Sequence, residues 1–275
     1  MSSYYDLPLF KPPVWTWEVP TYFFVGGAAG AAAVLAAAAQ LAGADEALVR
    51  DARWIAAAGS ALSTPLLIAD LGRPERFLNM LRVFKVKSPM SVGAWTLAAF
   101  GTTSSATAFA ALVRSRTNLP VKVIENGSAM LSAATGLVMA TYTGVLIGAT
   151  AIPVWKKHVR LLPVHFGASA LGSAASLLEL RGHTHSALNS LALGAAIFET
   201  LAAFAIEGGH DRVDAPLRAP LPRLAAALSG PIPLALRLLG ARKPAAAATL
   251  LGSLLTRFAW VEAGKVSAKD VKVAL

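Results

Sequence analysis

Long apolar runs alternate with short polar, mostly basic connections along nearly the whole chain. Eight runs, over about 20–42, 53–69, 91–113, 127–150, 161–180, 186–206, 221–240 and 245–263, approach the length needed to cross a membrane. A hydrocarbon core about 30 Å thick takes roughly 20 apolar residues at 1.5 Å rise each. None of the runs alternates as a strand would. The seventh is weakened by Pro220, Pro222, Pro231 and Pro233, which predict a broken or partly re-entrant helix there. Small residues crowd the others, as in "GGAAGAAAVLAAAAQLAG" (26–43) and "GASALGSAAS" (167–176), and let helix backbones approach closely in lipid. No connection is long enough to divide the chain. The pattern therefore predicts an all-α integral membrane protein, one domain over 1–275, with eight transmembrane helices in a compact bundle of two four-helix halves.

Composition sharpens this picture. Hydrophobic residues make up 55 % of the chain, charged residues 15 %, and mean hydropathy is +0.56, against roughly one-quarter charged in a soluble domain. Cysteine is absent, which excludes disulfides and any thiolate-held iron–sulfur cluster or zinc site within the chain. The net charge of +10 is gathered between the apolar runs, an arrangement suited to anionic headgroups or an acidic partner rather than to nucleic acid. The first residues lack a basic stretch followed by an apolar core and small-residue cleavage site, so no removable signal peptide is expected and the first helix directs insertion. With eight crossings most loop lysines and arginines share the side of the termini, which favours cytoplasmic termini; a basic docking face would give the same bias.

Polar residues at the ends of the runs carry the candidate chemistry. "LLIADLGRPERFLNML" (66–81) joins an apolar run to Asp70 and a tight basic turn, Gly72-Arg73-Pro74, followed by Arg76. Asp70 sits at headgroup level, or pairs with Arg73 or Arg76 at helical spacing, or faces a cavity at the membrane boundary, where its carboxylate could take a proton from a bound hydroquinone or be held ionised by an arginine. "WTWEVPTYFFVGG" (15–27) sets Trp15, Trp17, Tyr22 and Phe23 at the mouth of the first helix. They form either an interfacial aromatic belt or a flat slot for a ring, with Glu18 or Tyr22 hydrogen-bonding a ring oxygen. Tyr142, within "ATYTGVLIGATAIPVW" (140–155), either finds a hydroxyl partner in Thr141 or Thr143 or points into a ligand pocket.

The histidines bear on haem. His158, His183, His185 and His210 fall in predicted loops and only His165 lies near a helix start, so no facing pair is available to hold an iron porphyrin, and no haem is expected. His183 and His185 in "RGHTHS" are two ligands at most, and a solvated loop is the expectation. Glu199 and Arg257 fall well inside predicted spans, where each is costly; they form an interhelical pair, or Glu199 serves a proton relay.

Taken together, "WTWEVPTYFFVGGAAG", "DLGRPERFLNML" followed by "SPMSVGAWTL" (88–97), and "TYTGVLIGATAIPVW" resemble the NrfD / polysulfide reductase membrane-subunit family over nearly the whole chain. The resemblance implies an eight-helix subunit of the prokaryotic plasma membrane without cofactors of its own. Such a subunit binds quinone (menaquinone or ubiquinone) near one face and exchanges electrons with a ferredoxin-like iron–sulfur subunit, through it serving a molybdopterin or comparable catalytic subunit. Carried over, Tyr22, Tyr142 and Trp17 would contact the quinone, Glu18, Asp70 and Tyr142 would handle protons, and Arg73 would orient Asp70. This chain has Val19 and Tyr22 where some members use an asparagine and a histidine. A purely structural anchor and a small-solute transporter are the rival expectations.

Overall fold

The computed structural model describes residues 10–71, 73, 75–116, 121–209 and 211–270. Gly72, Pro74, His210 and the Arg76 side chain lie outside the described residues. Eleven α-helices account for almost all of the described chain: α1 (Glu18–Leu41), α2 (Glu46–Asp70), α3 (Glu75–Met80), α4 (Pro89–Arg116), α5 (Lys122–Gly148), α6 (Pro153–Lys157), α7 (Leu161–Leu180), α8 (Ser186–Glu207), α9 (Pro220–Ser229), α10 (Pro231–Leu238) and α11 (Arg242–Lys269). A 3-10 turn over Arg212–Arg218 joins α8 to α9.

Six of the helices, α1, α4, α5, α7, α8 and α11, are long and apolar enough to cross a membrane. The other two expected runs are also helical but are not long and apolar enough by the same measure. The run at 53–69 belongs to α2, which starts earlier because Asp45 caps it, its carboxylate accepting the Ala47 N–H at 3.4 Å; Ser60, Ser63, Thr64 and Pro65 make it less apolar than its neighbours. The seventh run is broken at Gly230 into α9 and α10, as its prolines predicted. Each half begins on proline, which costs nothing at a first helical position.

Helix α1 packs against α2, α5, α7 and α11, and so touches both groups of helices: α2, α4 and α5 on one side, and α7 to α11 on the other. Its close approach to α5 runs through glycine. A Cβ at Gly30 would collide with the Gly136 carbonyl oxygen, and a Cβ at Gly136 with that of Gly30. The two backbones are in direct contact, which in lipid substitutes for the hydrophobic drive available in water.

Three connections at the face opposite the start of α1 close on left-handed glycines, Gly43 after α1, Gly182 after α7 and Gly240 after α10. Each is followed by a backbone N–H reaching back into the last helical turn, from Ala44 to Ala39, His183 to Leu178 and Ala241 to Leu236. Buried ion pairs staple that same face. Glu125 on α5 takes Arg53 from α2 and, at 2.7 Å, Arg114 from α4. Glu179 on α7 takes Arg237 from α10 at 2.8 Å, with Asn189 of α8 accepting from the same guanidinium. Asp51 holds His183 at 3.0 Å, tying α2 to the turn after α7.

Two outcomes follow from this packing. Gly136→Leu forces α1 and α5 apart and costs at least about 1–3 kcal/mol, lowering the thermal midpoint of the detergent-solubilised protein, whereas Gly101→Leu, with open space at its Cβ, leaves it unchanged. Arg237→Met strands a buried carboxylate and costs about 3–5 kcal/mol; the double variant Arg237→Met/Glu179→Leu recovers most of that loss in the same assay.

Candidate functional site

The start of α1, the end of α2, the start of α4 and the end of α5 meet at one face of the bundle, here termed the entrance face. Glu18 opens α1 and accepts the Thr16 hydroxyl. Asp70 closes α2 and accepts the Thr16 backbone N–H, and the two carboxyls lie within Coulombic reach of each other. Burial holds the Asp70 carboxyl above the ordinary aspartate range, and the Glu18 charge pushes it the same way. Arg73 is exposed and makes no ion pair with Asp70 among the described residues. The expectation that Arg73 orients Asp70 is thus replaced by a pair of acids bridged through Thr16. Helix α2 ends at Asp70, with Leu71 as its cap.

Below the acids, Tyr22 on α1 and Tyr142 on α5 are buried within electrostatic reach of each other. The Tyr142 hydroxyl donates to the Pro89 carbonyl at 2.7 Å. Neither Thr141 nor Thr143 serves as its partner; Thr141 bonds back into its own helix. Gly93 makes the contact possible, because any side chain there would occupy the phenol ring's position. Five residues of the motif "SPMSVGAW" have a structural role. Ser88 caps α4 by accepting the Ser91 N–H at 3.4 Å, Pro89 supplies the first helical turn and the carbonyl, and Gly93 receives Tyr142. Ser91 ties the preceding loop through Lys85 and Val83, and Trp95 packs edge-on against Phe84.

The two tryptophans of the entrance motif part company. Trp17 is 61 % exposed, whereas Trp15 turns inward and stacks on Trp155 with centroids 5.5 Å apart. Trp155 is fully buried and donates its indole N–H to the Trp260 carbonyl at 2.8 Å, joining α6 to α11. An open cavity of about 480 Å³ lies between residues 10–15 and the turn after α5, with Trp155 in its wall. Next to the acids, the α2 to α4 connection exposes Leu78, Val83, Phe84 and Val86 among Arg82, Lys85 and Lys87.

Glu199 and Arg257 are both buried, as their places in the sequence implied, but no ion pair joins them directly. Arg257 lies over the Phe166 ring at 3.9 Å and donates to the Phe166 carbonyl at 3.0 Å. The Glu199 partner is His165, at 3.1 Å, with the Ser229 hydroxyl donating at 3.0 Å. Sequence reasoning passed over His165 as a residue near a helix start; the available signal was an imidazole and a carboxylate, both expensive in lipid, on consecutive spans. At the same face Asp214 gathers His158 at 2.8 Å and Lys157 at 2.7 Å, fixing α6 to the 3-10 turn. Among the described residues no three His, Asp or Glu side chains form a metal-ligand set.

The Tyr142 seat predicts an order of effects. Tyr142→Phe loses one hydrogen bond and costs about 0.5–1.5 kcal/mol, whereas Gly93→Val expels the ring and lowers the thermal midpoint considerably further.

No curated protein matches the chain. A family model described as polysulphide reductase, NrfD, matches residues 8–184, the stretch from the tryptophan-rich entrance through α7 that carries the acid pair, the Tyr142 seat and the Trp15 stack. The chain belongs to the NrfD polysulphide reductase family, which implies a membrane subunit of a redox complex.

Proposed function

We propose that the chain binds a quinone or quinol of the bilayer, menaquinone or ubiquinone, at the entrance face, and exchanges electrons with an iron–sulfur subunit docked on that face. That subunit would in turn serve a molybdopterin or comparable catalytic subunit. The observation that carries the reading is the meeting of Asp70 and Glu18 above the buried Tyr22 and Tyr142. Quinol oxidation delivers two protons with its two electrons, so a site for it needs proton acceptors next to an apolar ring site. Two carboxyls at the membrane boundary, one raised in affinity for protons by burial and by its neighbour, supply those acceptors. Tyr22 lies buried beneath the acids, Tyr142 holds the start of α4 in place, and the exposed indole of Trp17 can cover a ring at the rim. Arg73, exposed beside the basic and apolar α2 to α4 connection, fits an acidic partner surface better than a role on Asp70.

The same reading counts the apolar part of α2, 53–69, and the α9 to α10 pair as two further crossings. Eight crossings in one domain place residues 10 and 270 on the entrance face. The excess of Lys and Arg on that face supports a cytoplasmic placement in a prokaryotic plasma membrane.

Asp70→Asn is expected to lower quinol-linked electron transfer by roughly 10²-fold while the complex assembles normally. Because the Asp70 carboxyl is raised, it becomes a competent acceptor only as pH climbs through a range above that of ordinary aspartate, so the wild-type rate rises with pH there and the variant profile is flat. Full turnover in the variant, with the rising limb intact, removes Asp70 from the site.

A further inference from the structure

Outside the entrance, α8, α9 and α11 enclose a second cavity of about 250 Å³. Its walls are apolar, with Leu217, Pro222 and Ala226 among them, while its polar lining includes His165 and Glu199. Both residues are more than nine-tenths buried. Glu199 Oε2 is engaged by Ser229 and by His165 Nε2, but Glu199 Oε1 and His165 Nδ1 have no hydrogen-bond partner among the described residues. Buried polar atoms are almost always satisfied, so two orphans beside one cavity call for a ligand that supplies the missing partners. Phe166, Phe198 and Trp260 pack edge-on around the His165 ring, with centroids 6.0–6.4 Å away. Of these three rings Trp260 also lines the cavity, and its indole with the His165 imidazole beside it favours a flat ring over an acyl chain.

Size and exit narrow the choice further. An apolar cavity of about 150 Å³ takes a benzene-sized ring, so this one has room for a substituted ring but not for a folded isoprenoid tail. A tail has a way out beside Phe204, which lines the cavity and is 68 % exposed. Glu207 and Arg223, paired with each other and exposed, mark the rim at the end of α8, on the entrance face.

We propose that this cavity is a second, lateral site for the ring head of a hydroquinone-type lipid. Glu199 Oε1 accepts a ring hydroxyl, His165 meets the same or a neighbouring oxygen, and the tail leaves past Phe204. The site is separate from the one at the start of α1 and stands whether or not that one binds a quinol. Except for His165, its polar and mouth residues lie beyond the stretch matched by the family model.

The test uses the full chain in lipid nanodiscs with a photoreactive azido-quinol. Labelled peptides from α8, α9 or α11 are expected, and Ala203→Phe, which fills the cavity, reduces that labelling at least five-fold. Glu199→Gln, which keeps the shape and removes an acceptor, reduces it several-fold, so the result survives if the filled variant does not fold. Asp70→Asn leaves this labelling unchanged, whatever it does to labelling of α1 and α2. Absence of label from α8, α9 and α11, label insensitive to both cavity variants, or displacement by monoolein but not by unlabelled quinol would each overturn the assignment.

Discussion

Backbone contact between Gly30 and Gly136 sets the spacing from which the rest of the bundle is built. In lipid, apolar side chains have nothing to gain by leaving one hydrocarbon for another, so helices associate through close van der Waals fit and through polar groups that find each other. Helix α1 provides the fit, with a face of glycine and alanine that α2, α5 and α7 can all approach. Once α1 and α5 are locked at that distance, Tyr22 and Tyr142 are carried to the same depth, and Tyr142 reaches the carbonyl of Pro89. A bulky residue at the crossing would therefore disturb the candidate site without touching it.

Polar side chains supply the register that apolar packing leaves open. Each buried arginine of the far face, Arg53 or Arg237, can be satisfied in only one rotation of its helix relative to Glu125 or Glu179. Breaking such pairs is costly, and their worth lies in discriminating against wrong packings at least as much as in net stabilisation. Arg257 is a variant of the same device: a carbonyl and the Phe166 ring take the place of a direct carboxylate partner.

Much of this was legible in the sequence, and the parts that were not have a common cause. Apolar length fixes helices well, so α7 was placed at its observed bounds and α8 within one residue. The proline cluster announced the break between α9 and α10. Asp70 and Glu18 were picked out singly from their positions at helix ends, but their meeting depends on how α2 packs on α1, and spacing along the chain does not encode that. Nearby sequence suggested Arg73 for Asp70 and Thr141 or Thr143 for Tyr142, and the need to pair charges within spans suggested Arg257 for Glu199. The structure supplies instead Thr16 and Glu18, Pro89, and His165 with Ser229. Local reasoning finds groups that need partners; only the tertiary arrangement names the partners. The tryptophan motif shows the same limit, since Trp15 and Trp17 are alike in sequence yet one packs against the core on Trp155 and the other faces outward.

The two faces of the bundle differ in kind. The far face is turned by left-handed glycines and crossed by ion pairs that engage its buried acids, with a polar cavity of about 440 Å³ beside Arg53, Arg114 and Glu125. The entrance face holds the unbalanced acids Glu18 and Asp70, an open cavity beside Trp15, the exposed basic and apolar connection before α4, and the mouth of the α8 to α11 cavity. Groups with unmet electrostatic or hydrogen-bonding capacity cost stability, and a fold keeps them where a ligand or partner repays that cost. A partner exchanging electrons with a carrier at either cavity would have to sit on the entrance face, because electron transfer through the stapled far face would have to cross the full thickness of the bundle. Both cavities would then share one docking surface, with the Lys157, His158 and Asp214 cluster fixing the segment between them.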